Sequence, residues 1–120
     1  MLKKLSADEK KQYRRPFLRP ENREPIRRFA NEIPIEGEPA DVYRLVQDYS
    51  RWLQNSEHPK LLLHAEPGAI TTTRDVEWCR TNLQNLSDVS LGAGLHFHQE
   101  DHPQRIGEEI CDWFDNKFGN

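Results

Sequence analysis

The sequence predicts an α/β fold with parallel strands, right-handed crossovers and helices on both faces of the sheet. Helix-like and strand-like segments alternate in the order helix, strand, helix, strand, helix, the pattern of crossover-connected parallel strands. The run Leu61-Leu62-Leu63-His64-Ala65 is a short, almost wholly apolar stretch, as expected of a strand buried on both faces. A third observation qualifies these two. Two strands cannot satisfy their backbone hydrogen bonds or cover Leu61 to Leu63 alone, and the first 55 residues hold no other strand-like run. The chain therefore reads as the C-terminal part of a larger α/β domain.

Each element follows from local pattern. Residues 1 to 39 hold five of the eight prolines, Pro16, Pro20, Pro25, Pro34 and Pro39, with an excess of Arg and Lys. Little apolar mass accompanies them, which predicts short helices joined by extended turns. From Pro39 onward Val42, Leu45, Val46, Tyr49, Trp52 and Leu53 recur at helical spacing, predicting an amphipathic helix that ends near Asn55 and Pro59. Pro59 and Pro67-Gly68 bound the Leu61–Ala65 strand. A helix follows from about Thr72, where Thr72 and Asp75 have the spacing of a capping pair, with Val76, Cys79 and Leu83 on one face. A weaker strand covers Asp88 to Leu91. The last helix carries Ile106, Ile110, Trp113, Phe114 and Phe118 as its apolar stripe, with Glu108, Glu109, Asp112 and Asp115 towards solvent.

Composition narrows the function classes. The chain has 120 residues, the size of one domain, but is 35% hydrophobic with a mean hydropathy of −0.93, which leaves a thin core. Net charge is −3, with 31% charged residues of both signs. Basic residues do not segregate with aromatics outside the first 28 positions, so nucleic acid is not the expected partner. No apolar run approaches the roughly 20 residues of a membrane span, and Lys3 and Lys4 are followed by no apolar h-region. Neither membrane nor export is expected. Cys79 and Cys111 lie far apart in helical patterns, which predicts buried reduced thiols and a cytoplasmic protein.

The chemistry concentrates between Gly92 and Pro103. Val89-Ser90-Leu91 enters Gly92 and Gly94, which deliver His96 on a loop at the carboxyl end of the sheet, where sites gather in open α/β folds. A catalytic base there presents one ring nitrogen to the reaction while a carboxylate holds the other. From position alone a structural or surface histidine is the more ordinary reading. His96, His98, Glu100, Asp101 and His102 fall within seven residues and raise the question of a metal. Helix onset from Asp101 to Pro103 turns these groups in different directions, so no metal is expected. A nucleophile is lacking, because Ser50, Ser56, Ser87 and Ser90 stand outside a Gly-x-Ser-x-Gly frame and no Asp occupies the equivalent frame.

Several motifs taken in order resemble the haloalkane dehalogenases of the α/β-hydrolase fold. They are Phe17-Leu18-x-Pro20, Arg23-Glu24-Pro25, Arg28-Phe29-x-Asn31-Glu32-Ile33-Pro34-Ile35-x-Gly37-Glu38-Pro39, Pro59-Lys60-Leu61-Leu62, Glu66-Pro67-Gly68-Ala69 and Gly94-Leu95-His96-Phe97-x-Gln99-Glu100-Asp101-x-Pro103-x-x-Ile106-Gly107. The resemblance implies a C-terminal portion of that fold. Residues 1–36 correspond to the end of the helical cap and the return to the main domain, and residues 37–120 to the last two strands and their helices.

The implied activity is hydrolytic. An aspartate attacks the carbon bearing the halogen, giving an alkyl-enzyme ester and free halide, and water then hydrolyses the ester. The family's general base matches His96, while His98 matches no invariant role. Phe29 matches a halide and substrate-pocket residue, and Ile33, Ala69, Ile70 and Phe97 match residues lining the cavity or its tunnel. At Ala30 the family usually has proline, and Gly68 stands where many α/β hydrolases place the acid. The acid is thus implied to be a Glu on an earlier strand. It, the nucleophile and the Asn and Trp that hold the halide all lie outside this sequence.

The implied partners are a small halogenated aliphatic substrate, halide ion and the N-terminal part of the fold, with no cofactor. A coelenterazine-type luciferase shares the fold and a similar histidine loop, but Glu66-Pro67-Gly68-Ala69-Ile70-Thr71-Thr72 looks more like the dehalogenases. A non-enzymatic fragment docking through uncovered strand and helix faces is the reading from a different class.

Overall fold

A computed structural model describes residues 1–119. The chain divides into two compact units, Leu5–Trp52 and a second made of Met1–Lys4 with the residues from Leu53 onward.

In the Leu5–Trp52 unit, proline placement sets the breaks. Helix α1 (Ala7–Arg14) opens with a capping box: the Glu9 amide donates to the Ser6 hydroxyl at 3.2 Å and the Ser6 amide to the Glu9 carboxylate at 2.8 Å. Two 3₁₀ turns follow, Arg15–Phe17 and Pro20–Arg23. Asn22 Nδ2 and Arg23 Nε tie them together by donating to the carbonyls of Pro16 and Phe17 at 3.1 and 3.0 Å. Helix α2 (Glu24–Asn31) carries Pro25 in its first turn, where the missing amide costs nothing. Ile35 and Glu38 then exchange both backbone hydrogen bonds across Glu36 and Gly37. Both of these central residues have positive φ, 52° and 91°, as a two-residue primed turn requires. Helix α3 (Ala40–Asn55) begins after Pro39. The short helices predicted for this region are present. Among the described residues of the unit none is fully buried.

The second unit holds the core. Strands β1 (Lys60–Pro67) and β2 (Leu86–Gly94) pair in parallel, from Lys60 opposite Leu86 to Pro67 opposite Gly94, with an irregularity between His64 and Glu66. Helix α4 (Thr73–Asn82) makes the crossover and packs on both strands, as does α6 (Pro103–Phe118). The short helix α5 (His98–Asp101) lies between β2 and α6. Asp75 caps α4 as expected, accepting the Thr72 amide at 2.8 Å and its hydroxyl at 2.6 Å. Ala65, Val76 and Leu91 form the buried apolar core, joined by Ser56 and His64. The order helix, strand, helix, strand, helix with parallel strands is the α/β arrangement expected, and among the described residues both outer edges of the sheet lack a partner strand.

Five details differ from the expectations. The second strand runs through both glycines to Gly94 instead of ending at Leu91, because backbone pairing with β1 continues where side-chain patterning stops. Leu61 to Leu63 are half-buried, not enclosed, since the open edges and the small cover leave parts of them accessible. Helix α4 stops at Asn82, so Leu83 caps it from outside. Cys79 and Cys111 are both free thiols, but only Cys79 is partly buried, whereas Cys111 is exposed on the side of α6 away from Ile106 and Trp113. On the predicted apolar stripe of α6, Ile110, Phe114 and Phe118 remain largely exposed.

Candidate active site

Two short segments leaving the parallel strands lie side by side. After β1, the amides of Gly68 and Ala69 donate to the carbonyls of Gly94 and Leu95, at 3.1 and 2.7 Å. The turn that begins this exit needs glycine: Gly68 has φ +68°, and a Cβ there would strike the Thr71 carbonyl oxygen. After β2, Gly94 packs so closely that an added Cβ would come within 2.6 Å of Ala65 Cβ and 3.1 Å of His98 Nδ1. These contacts bring Ala69 beside Leu95, the residue before His96.

His96 is exposed at the carboxyl end of β2. Its ring meets that of Phe97 edge to face, with centroids 4.7 Å apart. Among the described residues no carboxylate or other polar group bonds its imidazole. Phe97 and Ile70 are themselves 44% and 68% exposed, so this face of the unit presents an imidazole among accessible apolar groups. An exposed ring nitrogen beside apolar surface can take a proton from a water molecule.

The neighbouring histidines do other things. His98 Nδ1 is buried with no hydrogen-bond partner, whereas His102 Nε2 lies 2.7 Å from the Ala93 carbonyl oxygen. The three rings do not converge, and among the described residues no group of three His, Cys, Asp or Glu side chains is placed to hold a metal. The Asp101 carboxylate accepts the amide of Lys3 at 2.7 Å and that of Leu2 at 2.9 Å. Those two amides hold its carboxyl below the usual range, the Lys3 contact most strongly.

Phe29, Ala30 and Ile33 belong to the Leu5–Trp52 unit and form a separate group. Phe29 and Ala30 occupy the last turn of α2, and Ile33 follows two residues after its end. Phe29 and Ile33 are 73% and 52% exposed. In the same unit a concavity of about 590 Å³ is lined by Lys10, Lys11, Arg14, Arg15 and Leu18 among others. It contains none of the candidate site residues.

Sequence patterning does not reveal the hydrogen bonds that the Asp101 and His102 side chains make. Asp101-His102-Pro103 carries only a helix-start signal, and the partners of both side chains lie far along the chain or are backbone groups. His64 was equally unmarked. It is buried with Nε2 3.3 Å from Asp88 Oδ2, an oxygen that Arg80 of α4 also binds.

No family model matches the chain. Individual relatives do. A haloalkane dehalogenase of Bradyrhizobium diazoefficiens is 42% identical over 113 residues, covering 94% of this chain and 36% of the relative. One from Sphingobium indicum is 46% identical over 112 residues, covering 92% of this chain and 37% of the relative. Among solved structures, the ancestral haloalkane dehalogenase AncHLD2 superposes with a TM-score of 0.92 at 44% identity, covering 96% of this chain and 40% of that one. The haloalkane dehalogenase DbeA from Bradyrhizobium elkani gives a TM-score of 0.93 at 37% identity, with the same two coverages. The chain thus spans 36–37% of the length of these curated relatives.

Proposed function

Because this chain is homologous to the haloalkane dehalogenases and is built as the C-terminal portion of their α/β-hydrolase fold, we propose that it carries the general base for hydrolytic removal of halide from a haloalkane. The observation that carries the reading is His96, exposed after a parallel strand and flanked by Phe97 and the paired Ala69 segment.

In the proposed reaction an aspartate outside this chain attacks the halogen-bearing carbon. The carbon–oxygen bond forms as the carbon–halogen bond breaks, and halide leaves with the bonding pair. Water then adds to the ester carbonyl carbon while His96 takes its proton. Collapse of the adduct expels the alkoxide, which takes the proton held by His96 to become the alcohol, and the second proton of the water leaves the new carboxyl group for solvent, restoring the carboxylate. Ala69, Ile70 and Phe97 would offer substrate-facing apolar surface in the unit that bears His96, and Phe29, Ala30 and Ile33 are proposed as substrate- or halide-contacting residues of the other unit, apolar groups that suit a small halogenated aliphatic substrate. No cofactor is needed, because the ester carries the reaction between its two halves. Two free thiols suit a cytoplasmic setting, and no helix is long and apolar enough to cross a membrane.

A chimera joining this chain to the N-terminal portion of the Bradyrhizobium diazoefficiens relative tests the reading. It should turn over a bromoalkane, whereas the 120-residue chain alone should release no halide. His96→Ala in the chimera should release one equivalent of halide and then stop, with the ester trapped and detectable as added protein mass. Sustained turnover by that variant would overturn the assignment.

A further inference from the structure

We propose that His102 is a positioning residue for His96, its ring and its backbone clamping the two ends of the loop that bears the base. The proposal rests on reading His96 as that base. His102 Nε2 lies 2.7 Å from the Ala93 carbonyl oxygen. A carbonyl only accepts, so Nε2 carries hydrogen and donates. The backbone N–H of His102 donates to the carbonyl of His98 at 2.8 Å. Ala93 and His98 bracket Gly94-Leu95-His96-Phe97, so one residue holds both ends of the segment.

The clamp is rooted in a long element. The His102 carbonyl accepts the amide of Ile106 at 3.0 Å, in the first turn of the 16-residue helix α6. His102 itself occupies the break between α5 and α6, with φ −135° and ψ 44°, which lets its ring turn back towards β2 while its amide still closes α5. On the other side the loop is held by backbone contacts from Gly68 and Ala69. His102 adds a side-chain contact from the α6 side.

Chemistry explains why such a brace matters. A general base works only within hydrogen-bond reach of its water, and a displacement of about 1 Å in a reacting group costs on the order of 100-fold in rate. Losing the Ala93 contact frees the α6 side of the loop while leaving His96 chemically intact. The step that needs the base should slow, and the step that does not should be spared.

The test separates these steps. In the chimera, His102→Phe keeps a ring but cannot donate, and should give a normal halide burst followed by ester hydrolysis slowed about 10- to 100-fold. His102→Gln, which retains an N–H donor of similar reach, should recover most of the hydrolysis rate. A His102→Phe variant that hydrolyses the ester at the parent rate overturns the proposal, as does a Gln variant no better than Phe. If the parent chimera releases no halide, the dehalogenase reading fails instead. Amide exchange in the chimera then decides whether the clamp exists: faster exchange at Ala69, whose amide donates to the Leu95 carbonyl of the loop, in His102→Phe supports it, and unchanged exchange refutes it.

Discussion

His64 Nε2 lies 3.3 Å from Asp88 Oδ2, and that one oxygen also receives Nε and Nη2 of Arg80 at 3.1 and 2.5 Å. Strand β1, strand β2 and helix α4 are thereby joined through a single carboxylate. The imidazole is only 4% exposed, and its Nδ1 has no partner. Asp88→Ala would leave both ring nitrogens unbonded and should destabilise the protein by about 1–3 kcal/mol. His64→Leu removes the ring and its orphan nitrogen together and should cost less. Urea midpoints of the two variants rank them, and the reverse order would show that the carboxylate is not what holds the ring.

Acid should weaken this unit through three carboxyls. Asp88 is held below its ordinary 3.8 chiefly by Arg80, against a rise from burial. Asp75 is lowered chiefly by its bond to Thr72, and Asp101 chiefly by the Lys3 and Leu2 amides. A carboxyl depressed in the folded state contributes stability that is present in full above its unfolded value and is lost as pH falls through the lower, folded value. Stability should therefore hold through neutral pH and decline below about pH 4. Asp75→Asn should shallow that decline when urea midpoints are followed against pH. Identical acid slopes in parent and variant would remove Asp75 from the account.

Most of the fold is legible in sequence because its signals are local. Pro59 and Pro67-Gly68 frame β1, Thr72 and Asp75 announce α4, and spacing from Pro39 marks α3. The exposed position of His96 after β2 is legible too, since a glycine-flanked exit from a strand is a short-range pattern. What escapes is long-range. Asp88 is 24 residues from His64, and the Ala93 carbonyl that receives His102 has no side-chain signature. The exposure of Cys111 escapes because helical spacing shows which residues share a face but not how much of that face is covered.

Glycines 94 and 107 should respond oppositely to alanine. A methyl on Gly94 meets Ala65 Cβ at 2.6 Å, and Ala65 is buried at 4% exposure, so neither side can yield without moving backbone. Gly94→Ala should cost about 1–3 kcal/mol and displace the segment bearing His96. Gly107 has nothing within 4 Å of the added methyl and sits inside α6, so Gly107→Ala should stabilise by about 0.5–1 kcal/mol through helix propensity. Thermal melts of the two variants in the chimera check both signs. A neutral Gly94→Ala would mean that β1 and β2 exits are looser than their contacts indicate.

The exposed face of α6 sets the last expectation. Ile110, Phe114 and Phe118 are 47%, 55% and 51% exposed on one helix, and the two-stranded sheet beside it has open edges. Burying such a side chain is worth about 1.5–3 kcal/mol, so these three forgo stabilisation that the isolated chain has no means to recover. Alone, the chain should bind an apolar-surface dye and unfold over a broad urea range. Joined to the N-terminal portion of a dehalogenase relative, it should lose the dye signal and unfold cooperatively. Phe114→Ser should reduce dye binding by the isolated chain while weakening the chimera. A sharp transition without dye binding in the 120-residue chain would instead show that it folds as an independent module, and would favour a partner-binding role over half of an enzyme.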